Sequence, residues 1–276
     1  MILPAIPLDE RRKDGAKCNS VLRESLPEAF HAPGSASVAS SEADALRAEI
    51  VAVGRKLWER NYVDGNGGNI SVRLGKHHVL CTPTMISKGD LTPEDICLCD
   101  LEGNLLSGRA QRTSELRLHL EIYKANTRAR AVVHCHPPQA TAFAITGTTP
   151  PFGLIYEYEV LIGPVAMARY EMPGTQAFAE TVLPYVQDHN TILLANHGIV
   201  CWADTVTHAE WLVETLENYC RTYLIAQQIG KPLAFLPEDR IQEILAMKQR
   251  MGLPDARMKC CQSSGNDRDR SGDQPA

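Results

Sequence analysis

Along this chain the apolar residues keep a helical rhythm in some stretches and gather into short β-like runs in others. After Ser41, a residue suited to cap a helix, Leu46, Ile50, Val53 and Leu57 recur at three- and four-residue spacing, which predicts a helix ending near Asn61. Gly65-Asn66-Gly67-Gly68-Asn69 reads as a loop. Short apolar runs follow at 70–74, 78–82 and 96–101, and Leu101-Glu102-Gly103-Asn104 reads as a hairpin turn. Further on, the pattern predicts a helix over 115–126, a strand over 131–136, a helix over 139–145 and a buried strand over 190–195. The strongest helix is expected over 208–229, and a last one over 238–251 places Ile241, Ile244, Leu245 and Lys248 at suitable spacing. Strands and helices mix without regular βαβ alternation or internal repeat. The expected fold class is therefore a single-domain α/β sandwich whose central, mainly antiparallel sheet is flanked by helices.

The two ends read differently from the middle. His31–Ser40 is a small-residue linker, and upstream of it Val21, Leu22, Leu26 and Phe30 could line one side of a short helix. Residues 1–40 read as a flexible leader; the alternative is a peptide that docks onto a partner such as a protein shell. Residues 256–276 are expected to be a disordered tail, most plainly in the polar stretch Cys260–Ala276, which leaves 41–255 as the compact domain.

Composition narrows the function classes. The net charge of −5 comes with no basic stripe, so nucleic acid is a poor partner. No apolar run is long enough to span a bilayer. Nine scattered cysteines, an odd number, suit free thiols in a reducing compartment better than a disulfide framework. Met1–Leu8 is apolar but runs straight into Asp9-Glu10-Arg11-Arg12-Lys13 with no positive region before it, so it is no secretory signal. A cytoplasmic protein is expected.

The densest chemistry lies in His134-Cys135-His136. Imidazoles at i and i+2 of a strand project from one face, while Cys135 points the other way. A lone histidine is more often a hydrogen-bonded core residue, but two on one face, just before Pro137-Pro138 ends the strand, favour ligation of one divalent ion. His197, in Ala195-Asn196-His197-Gly198, sits where the buried run over 190–195 breaks. Glu115 could be only a first-turn carboxylate favoured by its helix dipole; once a metal is granted, it becomes the group that moves protons. Three imidazoles and a carboxylate leave one replaceable position, the arrangement of a catalytic site. The other histidines, His31, His77, His78, His119, His189 and His208, read as surface or packing residues. The glycine-rich loop leaves backbone N–H groups free for an anion, and Asn69, Thr82, Thr84, Thr113 and Ser114 add neutral donors, so a phosphate pocket is expected there.

At these residues the chain resembles the class II aldolase/adducin family. The resemblance rests on GNGGNISVRL (65–74), CTPT (81–84), RTSELRLH (112–119), AVVHCHPP (131–138), RYEMPGT (169–175) and NTILLANHG (190–198), and spans roughly 42–230 in order. It implies a central antiparallel sheet flanked by helices, with 41–255 as the catalytic domain, and a homotetramer with sites between neighbouring subunits. It implies Zn2+, one per subunit, held by His134, His136 and His197, with other divalent ions as alternatives. Glu115 is implied as the catalytic carboxylate that can also ligate the resting metal. Gly68, Asn69, Thr84, Thr113 and Ser114 are implied as contacts of the substrate phosphate. The activity implied is that of an aldehyde-lyase: a phosphorylated ketose, such as L-fuculose 1-phosphate, would be cleaved to dihydroxyacetone phosphate and an aldehyde through a metal-stabilised enediolate. The alternatives are a related metal-dependent decarboxylase, dehydratase or 4-epimerase of a sugar phosphate or hydroxy acid, and a non-catalytic adducin-like interaction module. The adducin branch has lost the metal histidines, and this chain keeps all three.

Two departures from the family pattern stand out. Met85 follows Thr84 where the aldolases usually carry glycine. The aldolases also place a catalytic tyrosine between the second and third metal histidines. Counting without gaps puts Ile155 there, with Tyr156 adjacent and Tyr158 beyond. Tyr156 is the candidate, but a one-residue slip along a strand would reverse its face.

Overall fold

The computed structural model describes residues 40–258. The leader, with the helix suggested around Val21–Phe30 and its docking role, lies outside the described residues, as does the tail beyond 258. Among the described residues no helix is long and apolar enough to cross a membrane.

The expected sheet is present and larger than the sequence pattern alone suggests. Its strands are β1 (Asn69–Leu74), β2 (His78–Cys81), β3 (Cys97–Asp100), β4 (Leu105–Ser107), β5 (Ala131–Cys135), β6 (Ala166–Ala168), β7 (Thr191–Leu194) and β8 (Gly198–Ala203). They form one sheet in the order β4-β3-β2-β1-β5-β8-β7-β6. Every pairing is antiparallel except β6 with β7. The hairpin turn at 101–104 is held by Asp100, whose carboxylate accepts from the backbone N–H groups of Glu102 and Asn104 at 3.0 and 2.8 Å.

Three strands escaped the sequence reading for physical reasons. The three-residue β4 has a register irregularity against β3, and β6 is Ala-Met-Ala, with little β-propensity of its own. Strand β8 continues directly from the break at 196–198, so one apolar segment folds back as a hairpin instead of ending in a loop.

Helices cover both faces. On one side lie α1 (Ser40–Glu59), α3 (Pro138–Thr146), α4 (Tyr156–Leu161) and the long α6 (Val206–Ile229). Ile50, Val53 and Leu57 of α1 pack there with Ile70, Val72, Val133, Cys135 and Ile199, the alternate residues of β1, β5 and β8. On the other side α2 (Leu116–Ala125) and the short α5 (Gln176–Glu180) cover Val132, Val200 and Trp202. Cys135 therefore does face away from its histidine neighbours. The described cysteines are free and buried. The helix α6 begins two residues before the expected start because the Thr205 side chain accepts from the N–H of His208, capping it there.

Helix α7 (Glu238–Met251) keeps its expected span and buries its predicted face, Lys248 included. That lysine is fully buried. Its Nζ donates to Asp255 Oδ2 at 2.7 Å and to the Ile162 carbonyl at 2.8 Å. Arg257 then bridges Asp255 and Glu159, each at 2.8 Å, so packing continues past the expected boundary at 255. Removing one partner of a buried ion pair leaves a charge without compensation. Asp255→Ala is expected to lower unfolding free energy by about 3–5 kcal/mol, measured by urea denaturation; a loss under about 1 kcal/mol would show Lys248 reaching water.

Candidate metal centre

Sheet register brings the site residues together. His134 pairs with Asn69 of β1 and with Val200 of β8, at the middle of the sheet. The backbone N–H of His136, just past β5, donates to the Tyr62 carbonyl at 2.8 Å, which anchors the second imidazole beside the first. His197 rides on the tip of the β7–β8 hairpin, where Asn196 takes a left-handed conformation (φ 57°). The following residue must be small. A Cβ on Gly198 would stand 2.5 Å from the Cys135 carbonyl and 2.6 Å from the His136 ring, so only glycine lets this hairpin reach β5. Glu115 stands at the start of α2.

The three rings face one another, with centroids 4.6 to 5.1 Å apart. One ligand atom from each lies within 4.8 Å of the others. Glu115 Oε2 is 3.2 Å from His134 Nε2, and Oε1 is 3.6 Å from His197 Nε2. His134 Nδ1 is 2.8 Å from the Ile199 carbonyl, which can only accept, so this nitrogen carries the proton and Nε2 turns a lone pair inward. His136 Nε2 stands 3.1 Å from that nitrogen.

Two ring nitrogens so close either share a neutral N–H···N hydrogen bond or hold a common cation. A proton is a poor choice, because burial first, then the neighbouring histidines, pushes the His134 pKa well below the ordinary value. Burial likewise lowers the pKa of His136 and of His197. Three neutral imidazoles beside a carboxylate fit a divalent metal ion and leave room for a substrate or water ligand. His197 Nδ1 is buried with no hydrogen-bond partner.

The residues expected to hold a phosphate border this cluster. Gly68 is buried with φ 68°, and a Cβ there would meet the His134 carbonyl at 2.8 Å. Asn69 Nδ2 donates to Glu115 Oε2 at 2.9 Å, so this amide is tied to the carboxylate. Thr113 is buried; its N–H donates to the Thr82 carbonyl at 3.0 Å, and its hydroxyl accepts from Glu115 N–H at 3.3 Å. Thr84 is half-buried and Ser114 exposed. Met85 adopts φ 60°, the left-handed geometry that favours glycine, so the backbone path keeps a glycine-like turn although the residue differs.

Two residues were missed. Lys88 is almost fully buried, and its Nζ donates to the carbonyls of Asn66 and Ile86 at 3.1 and 3.2 Å, beneath the glycine-rich loop. Burial pulls its pKa down to about 8. His119, read as surface or packing, is completely buried and hydrogen-bonded to Asn69. The available signal was spacing: His119 lies four residues after Glu115, one helical turn along.

Tyr156 begins α4, so the strand geometry weighed for it does not apply. It is half-exposed, and its hydroxyl lies 3.9 Å from Met247 Sδ, apart from the histidine cluster. Tyr158, by contrast, is buried in a parallel stack on Tyr219 with centroids 3.6 Å apart.

Fold and centre together define a class. Residues 48–224 match the class II aldolase and adducin N-terminal domain, and the chain belongs to that family. It is 37% identical over 186 residues to an L-fuculose phosphate aldolase of Methanococcus maripaludis, covering 66% of this chain and 97% of that protein. It is 32% identical over 199 residues to a 3-oxo-tetronate 4-phosphate decarboxylase of Haemophilus influenzae, covering 71% and 93%. A solved L-fuculose 1-phosphate aldolase superimposes with a TM-score of 0.68 at 28% identity, covering 74% of this chain and 96% of its own.

Protons compete with metal only while they bind the rings, so depressed histidine pKa values extend metal binding to lower pH. Co2+ affinity of the metal-depleted protein, followed by visible absorption, is expected to stay level from pH 8 to about 6.5, the ordinary histidine value, and to weaken only below it. A decline starting above pH 7 would contradict neutral, desolvated ligands.

Proposed function

We propose that the protein is a metal-dependent aldolase that cleaves a phosphorylated ketose, such as L-fuculose 1-phosphate, between C3 and C4. The products are dihydroxyacetone phosphate and an aldehyde. The observation that carries this reading is the carboxylate of Glu115 standing within 3.6 Å of two imidazole nitrogens at the mouth of the His134–His136–His197 cluster. A divalent cation held by those histidines, zinc in this reading, would supply the positive charge needed where negative charge develops on the substrate's oxygens.

The chain's own groups do the remaining work. Glu115 moves a proton at the carbon left electron-rich when the C–C bond breaks, and can ligate the resting metal before substrate arrives. Gly68, Asn69, Thr84, Thr113 and Ser114 line the side on which the phosphate binds, far enough from the breaking bond to orient it. Lys88, when protonated, places a positive charge under that loop. Tyr156 serves the aldehyde oxygen of a neighbouring subunit's site within a homotetramer, a role its exposed position suits.

A second reading, decarboxylation of a phosphorylated keto acid at the same centre, is favoured by the similarity to a 3-oxo-tetronate 4-phosphate decarboxylase. A panel of ketose 1-phosphates and keto-acid phosphates, with and without chelator, separates the two. Trapped aldehyde supports the aldolase; evolved CO2 replaces it with the decarboxylase.

Glu115→Gln is expected to lower kcat by about 10²–10⁴-fold while KM moves far less; an unchanged kcat removes Glu115 from the proton transfer. Lys88 is charged below its pKa of about 8 and neutral above it. Inorganic phosphate should therefore inhibit less as pH rises through 8, and Lys88→Met should abolish that dependence while leaving the fold intact by circular dichroism.

A further inference from the structure

Beneath Glu115, on the sheet face covered by α2, five side chains form an unbroken hydrogen-bonded line. Asn69 Nδ2 meets Glu115 Oε2 at 2.9 Å, and Asn69 Oδ1 meets His119 Nε2 at 2.6 Å. His119 Nδ1 meets Ser71 Oγ at 2.7 Å, and Ser71 Oγ meets Tyr123 Oη at 2.8 Å. Ser71, His119 and Tyr123 are wholly buried and Asn69 nearly so. Two periodicities produce the line: Asn69 and Ser71 share a strand face, and Glu115, His119 and Tyr123 recur every four residues along α2.

The donors in this line can be assigned from one end. An ionised carboxylate only accepts, so Asn69 must turn its N–H toward Glu115 and its oxygen toward His119. That oxygen only accepts, so His119 must carry its proton on Nε2. Burial holds the ring neutral, with a pKa near 3, so Nδ1 has a lone pair and accepts from the Ser71 hydroxyl. The Ser71 oxygen in turn accepts from Tyr123. Every donor points toward Glu115.

We propose that His119 is a positioning residue: as the Nε2–H tautomer held by Ser71, it fixes the Asn69 amide so that the N–H faces Glu115 and keeps Oε2 in place beside His134. Turned over, the same amide would present its oxygen to the carboxylate and repel it. Among themselves Asn69, His119, Ser71 and Tyr123 could pair in either direction; only one direction presents a donor to Glu115. The inference rests on the proposed role of Glu115 for its kinetic consequence but not for the hydrogen-bond polarity.

The test uses the full chain. Long-range 1H–15N NMR at pH 7 should show the His119 ring neutral and protonated on Nε2; protonation on Nδ1, or on both nitrogens, overturns the proposal. His119→Leu should weaken Co2+ binding and lower kcat by roughly 10–100-fold, the usual effect of losing an outer-shell partner, with KM changing less than about threefold. His119→Gln, which keeps an N–H in place of Nε2–H, should recover most of both. Parental Co2+ affinity and kcat in His119→Leu, or no recovery in His119→Gln, overturns it. If His119→Leu does not fold, Ser71→Ala takes its place with the same expected direction. Absence of turnover on every substrate in the parent protein would count against the aldolase reading alone, because the NMR and Co2+ results still decide the chain.

Discussion

The register between β1, β5 and β8 is the constraint on which the rest of the structure depends. It sets Asn69 beside His134 on one side and Val200 on the other, so the Ile199 carbonyl lies within reach of His134 Nδ1. From that pairing follow the tautomer of His134, the inward direction of its Nε2 and the place where Glu115 can meet it. A slip of one residue would turn Asn69, Ser71 and His134 to the opposite face, among the apolar side chains under α1 and α6.

Burial has a cost that the site offsets locally. Each polar group withdrawn from water loses about 1–3 kcal/mol if left unpaired, and the region around Glu115 buries an asparagine, two histidines, a serine and a tyrosine. They pair with one another and with backbone. The same withdrawal from water depresses the histidine pKa values, so the packing that requires hydrogen bonds also keeps the ligands neutral. The glycine-rich loop approaches β5 closely enough that Gly68 has no room for a side chain, and Lys88 is tied underneath it by two carbonyls. Metal ligands and anion-binding groups are thus carried by segments that pack directly on one another.

Much of this was legible before any coordinates. His134 and His136 announced themselves by the i, i+2 spacing, and His197 by a break after a buried run. The mainly antiparallel sheet followed from the irregular mixture of strand and helix signals. What stayed hidden has local explanations. Strand β6 is three small or flexible residues stabilised by pairing with β7, and β8 could not be separated from the turn that precedes it. Tyr156 was weighed in strand geometry, yet it opens a short helix packed against α7. His119 looked ordinary because a single histidine in an amphipathic helix carries no sign of what lies across from it.

The sequence alone determined which residue types were present and how they were spaced: two imidazoles on one strand face, a carboxylate opening a helix, glycines where backbone must come close. Those are local properties, set by the periodicities of strand and helix and by the steric freedom of glycine. Only the tertiary structure decided that β5, the β7–β8 hairpin and the start of α2 meet at one point, and that an asparagine, a histidine, a serine and a tyrosine line up behind the carboxylate. Distances between segments far apart in the chain depend on sheet order, register and burial, and no local pattern encodes those.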